Sequence, residues 1–178
     1  MKITASDIRG YLSAYQQHVT HCAVGHTKLH TYHCTPRQLV AMEADAKQGC
    51  RKALNAFSQF LRGAKANRKQ QEYSPLVITT LEGVTDTGVK AHTIHYHFAL
   101  GNIPSVLTTD ELRQVFRHCW VDIAGLSSKG LWLAEAYEDN AQGWINYITK
   151  EAERGNVATW DFENTRIPRI ALANGQQT

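Results

Sequence analysis

Apolar positions along the chain recur at two different periods. From Ile94 to Leu100 they alternate, with Ile94, Tyr96, Phe98 and Leu100 on one side and His95, His97 and Ala99 on the other. A period of two predicts a strand with one face against a core. Leu76 to Leu81 is rich in β-branched residues and predicts a second strand. Asp86-Thr87-Gly88 supplies turn chemistry between them, so the two should form a hairpin. Elsewhere the spacing is three to four. Ser6 as N-cap, with Ile8, Leu12, Tyr15 and Val19, predicts a helix that ends before Gly25. Thr35-Pro36 opens a long helix striped by Leu39, Met42, Ala46, Cys50, Leu54, Phe57 and Leu61. Thr108 to Glu111 is a capping box ahead of Leu112, Val115, Phe116 and Cys119, a helix reaching about Ile123. Asp139 or Asn140 caps another helix through Glu153, stopped by Gly155. Leu29 to Cys34 and Leu131 to Tyr137 read as further strands, and Val157 to Phe162 as a short last one.

After the first helix the order is β-α-β-β-α-β and then a helix. That predicts an α+β, ferredoxin-like (split βαβ) antiparallel sheet with helices on one face. An extra N-terminal helix and a C-terminal, tyrosine-bearing helix complete it. The chain reads as a single domain over 1–178: a helical extension at 1–26, a core at 27–162 and a tail at 163–178. The assignment leans on Leu29–Cys34 as first strand.

Composition adds limits. With 43% hydrophobic and 20% charged residues among 178, this is an ordinary globular chain with no apolar run long enough for a membrane span. A cytoplasmic protein is the default expectation. The four cysteines are scattered without a C-x-x-C pair, which favours reduced thiols. A net charge of +3 permits a nucleic-acid partner without requiring one. Eight of the nine histidines crowd into 18–33 and 92–97. In the first group, His21-Cys22 and His33-Cys34 follow no common zinc-finger spacing. Part of that segment reads instead as first-strand residues lining the active-site side.

The second group carries more chemistry. His95 and His97 project to the same side of a strand, close enough to share one metal ion with positions left open for substrate. On the last helix, Tyr147, Lys150, Glu151 and Arg154 fall at i, i+3, i+4 and i+7 and share a face. Gly143 leaves that face uncluttered one turn earlier. A phenol with pKa about 10 is a poor nucleophile at neutral pH. A neighbouring ammonium and a metal-polarised electrophile make it competent.

His95-Tyr96-His97 on a strand, followed by Tyr147-Ile148-Thr149-Lys150 on a helix, resembles the HUH endonuclease superfamily. The likeness is closest to single-tyrosine initiators of rolling-circle replication, and spans roughly Leu29 to Glu153. It implies a site-specific single-strand DNA nickase. His95, His97 and an acidic or amide residue would hold Mg²⁺ or Mn²⁺. Tyr147 would attack the scissile phosphate, leaving a 5′-phosphotyrosine and a free 3′-hydroxyl, and Lys150 would offset the developing charge. Implied partners are single-stranded DNA or an origin hairpin, with a helicase also compatible, and a monomer is favoured. Glu82 is the favoured third ligand, with Glu151 and His92 as competitors. A tight turn centred on Thr87 pairs Glu82 with His92 and puts it on the wrong face. A longer loop, or a bulge at Gly83, brings it opposite His95. The basic run Arg51-Lys52, Arg62, Lys65 and Arg68-Lys69, together with Arg154, offers DNA-backbone contacts. Trp132, Trp144 and Trp160 offer stacking surfaces. A single-strand transposase or a mobilisation relaxase is the alternative within this chemistry, although relaxases place their tyrosine before the histidines. A non-catalytic single-strand binding module is the alternative outside it.

Overall fold

The computed structural model describes residues 4–84, 92–136, 138–150 and 159–169. Helix α1 (Ala5–Ser13) opens on Thr4 rather than Ser6, because Thr4 and Asp7 form a reciprocal capping box. A single 3₁₀ turn at Gln16–His18 follows, and the chain then enters β1, Val19–His30. The first strand is therefore not Leu29–Cys34, and the core begins at Val19 instead of residue 27. Gly25, expected to stop a helix, lies inside the strand. Its missing side chain is what admits Trp120, since a Cβ there would stand 2.6 Å from two ring carbons.

Helix α2 (Pro36–Arg62) starts on the Thr35 cap as expected and ends at Gly63, whose φ of 73° suits glycine. Two short helices, α3 (Lys65–Arg68) and α4 (Gln70–Tyr73), occupy the basic stretch. Strands β2 (Leu76–Glu82) and β3 (Thr93–Gly101) follow. Helix α5 (Thr109–Arg117), capped by Thr108, continues as a π-helical segment, His118–Ile123. Strand β4 is Trp132–Glu135, shorter than expected, and α6 is Glu138–Ile148. The turn at 86–88, Tyr137, Glu151, Glu153 and Arg154 lie outside the described residues.

The sheet runs β2-β3-β1-β4, with every neighbouring pair antiparallel. That is the order a split βαβ produces. On one face, Cys50, Leu54 and Phe57 of α2, with Leu112, Phe116 and Trp120, pack against Ala23, Val77, Tyr96, Phe98 and Leu133. Each such large side chain contributes about 1.5–3 kcal/mol on burial. The additional helices α1 and α6 take the opposite face, laying Ile8, Leu12, Ile145 and Ile148 over Leu76, Ile78 and Ala99. Thr80, Glu82, His95 and His97 continue that same face toward the other end of the strands.

Residues 163–169 do not behave as a tail. Trp160 and Arg166 bridge to Thr80 and Val77 on the outer edge of β2; Trp160 belongs to the short strand expected at 157–162, of which residues 157 and 158 lie outside the described residues. Arg166 is buried and donates to Leu54 O, Ser58 Oγ and Asn55 Oδ1 at 3.1, 2.8 and 2.6 Å. Burial pulls its guanidinium down to about 10. A charged residue near a polar chain end reads as surface, so this anchor has no sequence signature.

Candidate metal centre and tyrosine

The register of β2 against β3 decides how the acidic residue meets the histidines. Glu82 lies directly opposite His95, and Thr80 opposite His97. Directly opposed residues share a face, so Glu82, His95 and His97 converge. The pairing is that of the longer connection, and Gly83, at φ 90°, still lies against β3, where an added Cβ would stand 3.0 Å from the Thr93 carbonyl oxygen. One ligand atom from each of Glu82, His95 and His97 lies within 4.8 Å of the others, as a site for a metal ion requires. Among the described residues this is the group with that property. His92, three residues before His95, is not part of it.

The donor atoms are prepared. His95 Nδ1 lies 2.9 Å from the Thr93 carbonyl, which can only accept, so Nδ1 carries the proton. Nε2 is left with its lone pair toward Glu82, 3.7 Å from Oε2. His97 Nε2 stands 3.6 Å from Glu82 Oε1, too far for a hydrogen bond. Both His97 ring nitrogens and Glu82 Oε1 are buried without a hydrogen-bond partner. Buried polar atoms are rarely left so, and their convergence fits a divalent cation. Burial alone would raise the Glu82 carboxyl. His95 and His97 beside it, with the Lys150 charge, outweigh burial and hold it well below the usual carboxylate range. Burial likewise works against a charged His95, but Glu82 and the Thr93 carbonyl raise it above the ordinary imidazole value.

Tyr147 comes to the same place from α6. Trp144 and Ile145 seat that helix; the Trp144 Nε1–H donates to the Phe98 carbonyl at 2.9 Å. The Tyr147 ring then meets the His97 ring edge-on at 5.3 Å and remains 45% exposed. Lys150 Nζ stands 3.8 Å from the centre of the Tyr147 ring and 3.4 Å from Glu82 Oε2. One ammonium thus touches both the tyrosine and the acidic ligand, in the position to balance negative charge developing between them. Cys22 lines the adjoining cleft, but burial pushes its thiol up to about 12, so it offers no competing nucleophile near neutral pH.

The basic run is placed elsewhere. Lys65, Arg68 and Lys69 lie on the segment leading to Leu76, the end of β2 remote from Glu82 by about 20 Å. Lys69 pairs with Glu72 at 3.5 Å, and Arg62 donates to Asn102. Trp160 packs beside Tyr11 on the β2 edge, whereas Trp132 and Trp144 stand beside the site. His26 is the neighbour that the misplaced first strand concealed. It sits opposite His95 on β1, and the two rings stack with centroids 5.0 Å apart. Burial, then the nearby His95 and His97, lowers its imidazole. The alternation Cys22, Val24, His26 is the signal that would have found it.

Comparison of the chain with protein-family models, curated proteins and solved structures finds no significant match. No helix among the described residues is long and apolar enough to cross a membrane.

Proposed function

We propose that the protein is a metal-dependent, site-specific single-strand DNA endonuclease and strand transferase, working through a 5′-phosphotyrosine as a rolling-circle-type replication initiator. The observation that carries this reading is the contact of Lys150 with both Tyr147 and Glu82, which makes the tyrosine and the metal-ligand cluster one site. A metal cluster alone would suit many roles; a partly exposed phenol held against it suits transesterification.

Glu82, His95 and His97 would hold Mg²⁺ or Mn²⁺. When bound, the cation supplies Lewis-acid polarisation of a non-bridging phosphate oxygen. Tyr147 Oη attacks phosphorus, a Tyr–O–P bond forms and the P–O3′ bond breaks. The phenolic proton is lost to solvent or base, and the departing 3′-oxygen takes one up, so the exchange is isoelectronic and reversible. Lys150 steadies the phenolate and then the phosphate charge, a role for a compact point charge. The free 3′-hydroxyl can prime synthesis, and a later hydroxyl attacking the phosphotyrosine rejoins strands.

The test is a covalent adduct. Incubation with origin or hairpin single strands and Mn²⁺ should give a protein–DNA band on a denaturing gel that chelator prevents. Tyr147→Phe should lower it by at least about a thousandfold. An adduct that forms equally well with Tyr147→Phe, or none with any single strand tried, removes the nickase reading. Binding that survives both chelation and Tyr147→Phe without cleavage would instead mark a non-catalytic module.

A further inference from the structure

Next to the metal cluster, on the same face of the sheet, lies an apolar cleft of about 390 Å³ lined chiefly by Cys22, Trp132, Gly143, Trp144 and Tyr147. The strand register places it. Val24 of β1 is opposite His97 on one side and opposite Trp132 on the other. Thr80, His97, Val24 and Trp132 therefore form one row across the sheet, and Trp132 stands two strands, about 10 Å, from His97.

The cleft is built from aromatic planes. Trp144, anchored through Nε1–H to Phe98 O, stacks on Tyr147 with centroids 5.4 Å apart and planes 23° apart. Trp132 stands 5.8 Å from Trp144 and is tilted by 46°, so the two rings open as a wedge rather than closing on each other. Trp132 is 47% exposed although it projects beside a buried cluster. Gly143, where an added Cβ would meet nothing within 4 Å, keeps the α6 side of the wedge empty. Glu135 lies at the rim, but its carboxylate is engaged by the Thr109 hydroxyl. Among the described residues the walls are flat and chiefly apolar, with a single carboxylate, Glu135, turned to Thr109 at the rim, which suits a planar uncharged guest. Its continuity with the Tyr147 stack suits a guest covalently joined to a phosphate.

We propose that this cleft is a base clamp. It takes one unpaired nucleobase of the single strand, stacked on the exposed face of Trp132 with Trp144 at its edge, close to the bond that Tyr147 attacks. The placement of that bond rests on the function proposed above; the stacking does not. Stacking on aromatic rings tolerates any base, because every base has a π face. The clamp therefore adds affinity and fixes the position of the strand with little base identity, and purines should hold better than pyrimidines. The phosphates stay with Lys150 and the metal ligands.

The experiment uses the full chain carrying Tyr147→Phe, so that no cleavage intervenes, and two probes of equal length: oligothymidylate and the same backbone with every base removed. Binding is read by fluorescence anisotropy in Mn²⁺ buffer at one fixed salt concentration. The background protein should prefer the base-bearing strand by about 5- to 150-fold, the range for loss of one aromatic–base stack. Trp132→Ala should erase most of that preference while leaving affinity for the abasic strand unchanged. Gly143→Leu, which fills the wedge without removing an aromatic ring, should do the same, and Trp132→Phe should restore most of it. The clamp is overturned if both Trp132→Ala and Gly143→Leu retain the preference. It is equally overturned if Trp132→Ala instead dissolves a homodimer, which would make the wedge an interface between copies. Failure of adduct formation in the wild-type protein, with the base preference still coupled to Trp132, would remove the nickase and leave the clamp standing.

Discussion

On one face of β3 the Tyr96 hydroxyl donates to Asp161 at 3.1 Å, and the same carboxylate oxygen receives Asn164 Nδ2 at 2.6 Å. On the other face His97, one residue along, has both ring nitrogens buried and unpartnered, beside a Glu82 oxygen and a Thr80 hydroxyl in the same condition. Both clusters are polar and enclosed, and they hang from the same strand. The first is nearly closed: Asp161 ties the C-terminal segment to the core, and Asn164 Oδ1 is its one buried atom without a hydrogen-bond partner. Burial, with Cys50 and Asp161 nearby, holds the Tyr96 phenol far above its usual value. The second is open. A buried polar atom without a partner costs about 1–3 kcal/mol, and four such atoms converge here against one beside Asp161. Unequal satisfaction, more than residue type, separates the face that stabilises from the face that binds.

Replacing His97 by an apolar residue of similar size tests that distinction most severely. His97→Leu should abolish calorimetric Mn²⁺ binding and lower adduct formation by about a thousandfold or more, since metal polarisation supplies several kcal/mol. Its melting temperature should nevertheless hold or rise by about 2–4 °C, because unpartnered nitrogens are removed. A large drop in melting temperature would mean that His97 is structural. Asp161→Ala should do the reverse. It strands the Tyr96 and Asn164 donors and should cost about 4 kcal/mol by denaturant titration, with Mn²⁺ affinity within about twofold. Loss of metal binding in that variant would mean that the two faces are coupled through β3.

Metal addition gives a smaller effect that both variants sharpen. Mn²⁺ at a hundredfold excess over its dissociation constant should stabilise the wild type by about 2.7 kcal/mol, and chelation should reverse this. Asp161→Ala should keep the increment and His97→Leu should lose it, as followed by thermal melts with and without chelator.

The open face was the more legible of the two in the sequence. Alternation alone put His95 and His97 on one side of a strand, and helical spacing put Tyr147 and Lys150 on one face. Glu82 was ambiguous, because its face depends on how many residues the hairpin connection consumes, and one residue reverses the answer. The closed face was largely invisible. Asp161, Asn164 and Arg166 meet α2 and β3 across more than sixty residues of chain, and no local period announces contacts of that range. The first strand failed for a third reason. Ile8, Leu12, Tyr15 and Val19 fit one helical stripe, and all four are buried together, yet Val19 reaches that cluster from a strand. Periodicity reported the shared destination and not the backbone between.

Gly25 carried the other half of that misreading, and it offers the gentlest probe of how the faces communicate. A Cβ at this position would overlap the Trp120 ring, whose Nε1–H is held by the His26 carbonyl at 2.9 Å. Trp120 is wedged among Phe98, Phe116 and Tyr96, so it has little room to retreat. Gly25→Ala should therefore cost about 2 kcal/mol by denaturant titration, within the range for overpacking. Strain that pushes β1 toward the other face reaches His26 first, and His26 stacks on His95. If the overlap is relieved that way, Gly25→Ala should also weaken Mn²⁺ binding a fewfold, an effect that Asp161→Ala lacks despite its greater cost. If metal affinity is unchanged, Trp120 has absorbed the strain and the sheet insulates its two faces from each other.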